Sequence, residues 1–111
     1  MKLAIVGSRK LVNVDLEKYI PDGVDEIVSG GAKGIDALAR RFAIEKGIKL
    51  TEFLPKYELY GKAAPIKRNE EIAAYADEVV AIWDGKSKGT AHTLKFFDAA
   101  GKKSTIIIQQ E

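Results

Sequence analysis

Leu3-Ala4-Ile5-Val6-Gly7-Ser8-Arg9-Lys10 is four consecutive apolar residues halted by a glycine, then a hydroxyl and two cations. A short unbroken apolar run closed by a turn signal reads as a strand buried on both faces. The pattern recurs. Glu26-Ile27-Val28 is a second strand ending at Ser29, Ile48 to Leu54 a third, Val79 to Trp83 a fourth and Ser104 to Ile108 a fifth. Helical patterns lie between them. Leu11 to Ile20 is weakly helical and is stopped by Pro21 and Gly23. Gly34 to Lys46 sets Ile35, Leu38 and Phe42 on one stripe, with Gly47 suited to the position just past the end. Pro65 suits a first helical position, opening a helix to about Tyr75, and Thr90 to Ala100 forms a helix closed by Gly101. Strands alternating with helices predict βαβ units: an α/β, Rossmann-like three-layer sandwich with a five-stranded parallel sheet and helices on both faces. Right-handed crossovers favour the order 3-2-1-4-5, with the switch point between the first and fourth strands. Pro55 to Ala64 reads as an irregular stretch and a candidate ligand wall.

The chain of 111 residues and 12.2 kDa predicts a single domain over residues 1–111. With 46% apolar and 31% charged residues it reads as globular. No apolar run approaches the ~18 residues of a membrane span, and the apolar stretch after Met1-Lys2 stops at Gly7, too soon for a signal peptide. No cysteine is present, which excludes disulfides and thiolate chemistry, and a single histidine, His92, speaks against a transition-metal site. The expectation is a cytoplasmic protein with no metal and no membrane partner. A net charge of +2 is too small to announce a nucleic-acid binder by itself.

Ligands of open α/β sheets lie beyond the carboxyl ends of the strands at the switch point, so the βα loops are where chemistry is expected. They read Gly7-Ser8-Arg9-Lys10, Ser29-Gly30-Gly31-Ala32-Lys33-Gly34-Ile35-Asp36 and Asp84-Gly85-Lys86-Ser87-Lys88-Gly89-Thr90. Glycines let backbone amides approach an oxyanion, and each following helix N-terminus adds partial positive charge. Arg9, Lys10, Lys33, Lys86 and Lys88 concentrate positive charge on this rim. The pattern predicts a ligand that bears phosphate. Plainer roles stand beside this one: tight turns need glycine, Ser29 and Thr90 suit N-caps, Asp36 suits any first helical turn, and Trp83 suits core or rim packing.

Familiar motifs fail. Gly30-Gly31-Ala32-Lys33-Gly34 is not G-x-G-x-x-G and follows the second strand, which argues against a dinucleotide-dependent dehydrogenase even with Glu52 near the distance of a ribose-binding acid. Val80 stands where a P-loop ending in Gly85-Lys86-Ser87 needs its first glycine, and neither Ser8 nor Ser29 sits in G-x-S-x-G. Lys67-Arg68-Asn69-Glu70-Glu71 places two cations near a helix N-terminus, against the macrodipole. That local conflict marks either a site or a surface pairing of Arg68 with Glu70 or Glu71.

Gly7-Ser8-Arg9, Ser29 to Asp36, Tyr60-Gly61-Lys62-Ala63-Ala64-Pro65-Ile66-Lys67-Arg68-Asn69 and Gly89-Thr90 together resemble the SLOG superfamily, in order and over nearly the whole chain. Within it the chain looks most like the small stand-alone YspA/YpsA-related group. Other branches are the Rossmann domain of DNA-processing protein A (Smf), the LOG phosphoribohydrolases and the molybdenum-cofactor carrier proteins. The resemblance implies a Rossmann-like sheet whose loops bind nucleotides or their derivatives. Against the LOG pattern Arg68 matches the arginine and Gly89-Thr90 match G-T, but the glutamate position is Thr93, which removes the expected acid/base group. Asp36, Asp84, Glu70 and His92 are the candidates to replace it. The DNA-processing branch shares G-S-R, S-G-x-A-x-G-I-D and R-N and binds single-stranded DNA, for which Tyr57, Tyr60 and Trp83 are the stacking residues on offer.

The expected reading is a nucleotide-binding or sensing module, with a LOG-like nucleotide hydrolase or a single-stranded-DNA binder as alternatives. The amides of Gly30, Gly31, Gly89 and Thr90 would meet phosphate, Arg9 and Arg68 would supply charge, and Ser8, Asn69 and Asp36 would orient sugar or base. Gly7, Ser29, Gly34 and Asp84 complete the expected binding set. The expected partners are a small nucleotide and a second copy of the chain in a homodimer, with a helix face as the contact. No cofactor is specified beyond that nucleotide-type ligand.

Overall fold

A computed structural model, which describes residues 1–110, contains one parallel five-stranded sheet in the order β3-β2-β1-β4-β5. The strands are β1 (Lys2–Gly7), β2 (Glu26–Ser29), β3 (Lys49–Glu52), β4 (Glu78–Trp83) and β5 (Lys103–Ile108). The helices are α1 (Ile35–Lys46), α2 (Tyr57–Tyr60), α3 (Ala64–Tyr75) and α4 (Lys88–Ala99). Chain order reverses between β1 and β4, which places the switch point where the sequence predicts it.

Leu3 to Val6 are all buried because the sheet is covered on both faces. On one face Leu3, Ile5, Ile27, Val80 and Ile82 pack with Ile35, Ala39 and Ala43 of α1. On the other, Ala4, Val6, Val28 and Ala81 meet Ile72 and Ala73 of α3 and Phe97 of α4. The alternation of side chains along each strand divides the core into these two halves. At the amino end of the sheet Glu26 is buried and accepts hydrogen bonds from Thr51 Oγ1 (2.8 Å) and the Tyr75 hydroxyl, tying the end of α3 to β2. The Tyr75 bond is the main cause that holds the Glu26 carboxyl below its usual value.

Three expectations need correction. The crossover from β1 to β2 carries no α-helix: Leu11 to Ile20 contains only a 3-10 turn at Leu16–Lys18. Val12, Asn13, Val14 and Asp15 are poor helix formers, and Asp15 spends its carboxylate on the Glu17 amide (3.2 Å). Leu11 and Leu16 are buried and pack in the α1-side core, so two anchors do what a helix face would otherwise do. The third strand is limited to Lys49–Glu52, short of Ile48 to Leu54. Pro55 to Ala64 is not irregular, since α2 and a 3-10 turn at Gly61–Ala63 occupy most of it. Among the described residues no helix is long and apolar enough to cross a membrane.

Two glycines fix the approach of β1, β4 and α1. A Cβ on Gly7 would overlap the Ile82 carbonyl oxygen, and one on Gly34, at φ +68°, would overlap the Arg9 carbonyl. Gly47, at φ +67°, has open space around its missing side chain. Urea unfolding of Gly34→Ala is therefore expected to show a loss of about 2–4 kcal/mol, from strain and overpacking together. Gly47→Ala should lose only about 1–2 kcal/mol, the cost of the left-handed conformation alone. Equal losses would show that the close approach is not the constraint.

Candidate functional site

The carboxyl ends of β1 and β4 open into a cleft of about 610 Å³. Ser8, immediately after β1, is fully enclosed. Its amide donates to the Ile82 carbonyl (3.2 Å), and its hydroxyl accepts from the Asp84 amide (3.0 Å). The loop after β4 is folded by Asp84, whose carboxylate accepts from the amides of Lys86 (2.8 Å) and Ser87 (2.9 Å) and from the Ser87 hydroxyl (3.1 Å). The two backbone bonds are the main causes that hold the Asp84 carboxyl below its usual value. Ser87 is the N-cap residue of α4, but its side chain is turned to Asp84 and Ser8 and does not cap the helix. The first helical bond is Ala91 N–H to Ser87 O (3.3 Å). The amides of Lys88, Gly89 and Thr90 therefore have no intrahelical partner, and Gly89 and Thr90 line the cleft.

Arg68, in the second turn of α3, forms the opposite wall. It is only 8% exposed. Nη1 donates to the carbonyls of Gly30 (2.7 Å) and Phe53 (3.3 Å), and Nε donates to Asn69 Oδ1 (2.8 Å). Nη2 has no partner among the described residues, and no carboxylate there comes within ion-pairing distance of the guanidinium. Asp36, in the first turn of α1, is equally buried; its Oδ2 accepts from the Ala32 amide (3.1 Å) and its Oδ1 has no partner. No occluded side-chain polar atom lacks a partner among the described residues, so Nη2 and Oδ1 both reach solvent in the cleft. Burial pushes the Asp36 carboxyl up, against the Ala32 bond and the Arg68 charge, and burial pushes the Arg68 guanidinium down. An arginine so placed keeps its charge.

Most of the sequence-predicted set meets here: Gly7, Ser8, Arg9, Gly30, Asp36 and Arg68 line the cleft. Asn69, Asp84, Gly89 and Thr90 join them from α3 and the fourth loop. Three do not. Ser29 is buried below the cleft, and its hydroxyl accepts from the Gly31 amide (3.4 Å), so that amide is engaged. Gly31 faces an adjacent hollow, and Gly34 serves the close packing of Ser8 and Arg9. Neither Ser29 nor Thr90 is an N-cap; Gly34 and Ser87 hold those positions. Arg68 does not pair with Glu70 or Glu71, and Glu71 instead meets Lys56 at 3.8 Å. Tyr57, Tyr60, Trp83 and His92 do not line the cleft, and Trp83 Nε1 donates to the Ser87 carbonyl (3.1 Å). The expected wall from Pro55 to Ala64 reduces to Pro55.

Sequence reasoning missed Ser87, Ala32 and Ile72 as lining residues. Ser87 had a signal, a serine one helical turn before Ala91 at a loop-to-helix junction. Thr93, at the LOG glutamate position, also lines the cleft, and its hydroxyl donates to the Gly89 carbonyl (3.0 Å).

No family model matches the chain, and no solved structure matches it. Among curated proteins, the Gene 61 protein of Mycobacterium phage D29 is 37% identical over 81 residues, covering 68% of this chain and 65% of that protein. The chain thus spans just under two-thirds of the length of that relative.

The Asp36 shift has a stability consequence. The folded carboxyl holds its proton to higher pH than the unfolded one, so its contribution is complete below the ordinary aspartate range and is lost as pH rises through the raised value. Asp36→Asn keeps an acceptor for the Ala32 amide and removes the buried charge. Thermal melts should show it more stable than the wild type at pH 7, the gap closing as pH falls below the ordinary carboxylate range. A gap that stays constant with pH would assign the effect to packing.

Proposed function

We propose that the chain is a SLOG-type module that binds a nucleotide or nucleotide derivative through its phosphate. The observation that carries the reading is Arg68. A buried cation that closes no ion pair is costly, and here it is held rigidly by two backbone carbonyls with one amino group left open to the cleft. A phosphate would supply a direct pairing through short charge-assisted bonds. The unpartnered amides of Gly89 and Thr90 at the start of α4, together with Arg9, reinforce the preference for an anion. Asp36 Oδ1 offers an acceptor to a sugar hydroxyl or a base amine. The volume suits a ligand of nucleotide size.

A hydrolytic reading has one observation in its favour. Of the four candidates to replace the missing glutamate, only Asp36 combines a place in the cleft with a free oxygen and a raised pKa. Asp84 has its carboxylate engaged by its own loop, Glu70 is exposed, and His92 is outside the cleft. Binding comes first in either case.

AMP at about a hundred times its Kd should stabilise the protein by about 2.7 kcal/mol, on the order of ten degrees in a thermal-shift assay. Arg68→Lys should lose at least about tenfold in affinity, because an ammonium cannot keep both carbonyl bonds and still offer a donor to phosphate. A salt dependence as steep as several phosphate contacts would transfer the site to single-stranded DNA. The reading fails if no nucleotide shifts the melt.

A further inference from the structure

β5 is an edge of the sheet among the described residues, and its open side is unguarded. It pairs only with β4, with Ile106 beside Ala81 and Ile108 beside Trp83. The Gln109 amide donates to the Trp83 carbonyl (2.9 Å), so the backbone groups of Gln109 turn inward. That direction alternates along a strand. Thr105 and Ile107 therefore also turn inward, while Ser104, Ile106 and Ile108 aim N–H and C=O away from the sheet. No backbone group meets them among the described residues. Their side chains are open too, with Ile106 49% and Ile108 57% exposed. The devices that usually protect an edge are missing. Lys103 to Ile108 contains no proline, its register against β4 has no bulge, and its one charge, Lys103, enters no ion pair among the described residues. The neighbouring Lys102 is occupied, since its Nζ donates to the carbonyls of Ala73 (2.7 Å) and Ala76 (2.8 Å) at the end of α3. The opposite edge differs. β3 is shorter, and its Lys49 and Thr51 are tied to Glu26 and its Glu52 to Arg40.

We propose that β5 pairs with β5 of a second copy of this chain, antiparallel and centred on Ile106, joining the two sheets into one. Charge selects both the partner and the direction. With Ile106 opposite its own copy, Ser104 meets Ile108 of the second copy, Thr105 meets Ile107 and Lys103 meets Gln109. The cationic start of each strand then lies against the neutral end of the other, whereas parallel pairing in register would set Lys103 against Lys103. The outward-facing residues Ser104, Ile106 and Ile108 are the ones that this two-fold brings opposite one another. They exchange about six hydrogen bonds as closely paired positions of an antiparallel ladder. Ile106 and Ile108 of both copies form a continuous apolar strip on one face. The contact between copies is thus a strand edge, in place of the helix face expected from the sequence. Each cleft remains complete within one chain, so the pairing does not depend on the nucleotide reading.

Sedimentation velocity over a concentration series tests the pairing on the wild type and Ile106→Lys. The wild type is expected to associate to a dimer. The lysine variant should weaken that association at least about tenfold, because it sets two ammonium groups opposite each other. Ile106 is half exposed, so the variant is expected to fold, which a thermal melt checks. The chain has no cysteine, so single cysteine substitutions report the register, and they decide the matter if the lysine variant does not fold. Ile106→Cys should cross-link to its own copy on mild oxidation, since the paired Cα atoms lie about 5.5 Å apart, within disulfide range. Ser104→Cys should not, because its own copy lies about 14 Å away along the strand. A wild type that stays monomeric throughout the series overturns the proposal, and so does a dimer that a folded Ile106→Lys leaves intact. Equal cross-linking by the two cysteine variants overturns it in favour of parallel pairing, and cross-linking by neither overturns it outright.

Discussion

Ser8 ties the switch point together, and the cleft takes its shape from that knot. Its amide reaches β4 through the Ile82 carbonyl, and its carbonyl accepts from the amides of Leu11 and Ile35, each at 3.4 Å. Its hydroxyl holds the Asp84 amide at 3.0 Å and lies 3.3 Å from Ser87 Oγ. One residue thereby joins β1, β4, the first crossover, α1 and the loop into α4. So many backbone groups converge on it only because Gly7 and Gly34 have no side chains to keep them apart. Neighbouring parallel strands whose crossovers leave in opposite directions part at their carboxyl ends. Ser8 determines how far these two part.

The same crowding sets the electrostatics. The position of a Cβ on Gly30 lies 2.6 Å from Arg68 Nη1 and 3.0 Å from Asp36 Oδ2, so this glycine lets both charged groups approach one point of the loop. They do not close into an ion pair. A closed pair would satisfy both groups and leave the cleft neutral. Held apart, Arg68 keeps one amino group open and Asp36 one acceptor oxygen, and each meets the burial penalty with fewer hydrogen bonds than it can make. Groups arranged this way lower the stability of the fold, which is the usual mark of a site shaped for something other than folding.

The parts of this arrangement legible in the sequence are those with one-dimensional signals. Apolar runs such as Leu3 to Val6 and Val79 to Trp83, each closed by a small or polar turn residue, carry strand identity, and their alternation with helices carries the sheet order. Glycine loops after β1 and β2 point to the right edge of the sheet. The first crossover reads as weakly helical because Pro21 and Gly23 supply a stop signal after Leu11 to Ile20, whereas the burial of Leu11 and Leu16 depends on tertiary docking that no local pattern encodes. Arg68 stood out as a cation misplaced against a helix dipole. Its partners were not legible, since carbonyl acceptors at Gly30 and Phe53 carry no side-chain signature.

Asp36 and Asp84 show most directly what three dimensions add. They are the same residue type, both next to glycine-rich loops at the same edge of the sheet, and the sequence treats them alike. The fold gives them opposite chemistry. Asp36 is enclosed, accepts one protein hydrogen bond and has its carboxyl pushed up by burial. Asp84 accepts two amides and a hydroxyl, which hold its carboxyl down. Asp84 is thus a builder of the loop. By drawing Ser87 away from the helix it would otherwise cap, it leaves the first amides of α4 open. An anion at that edge would meet those amides because the Asp84 carboxylate is already engaged by its own turn. The helix end is available through a hydrogen bond that α4 itself does not make.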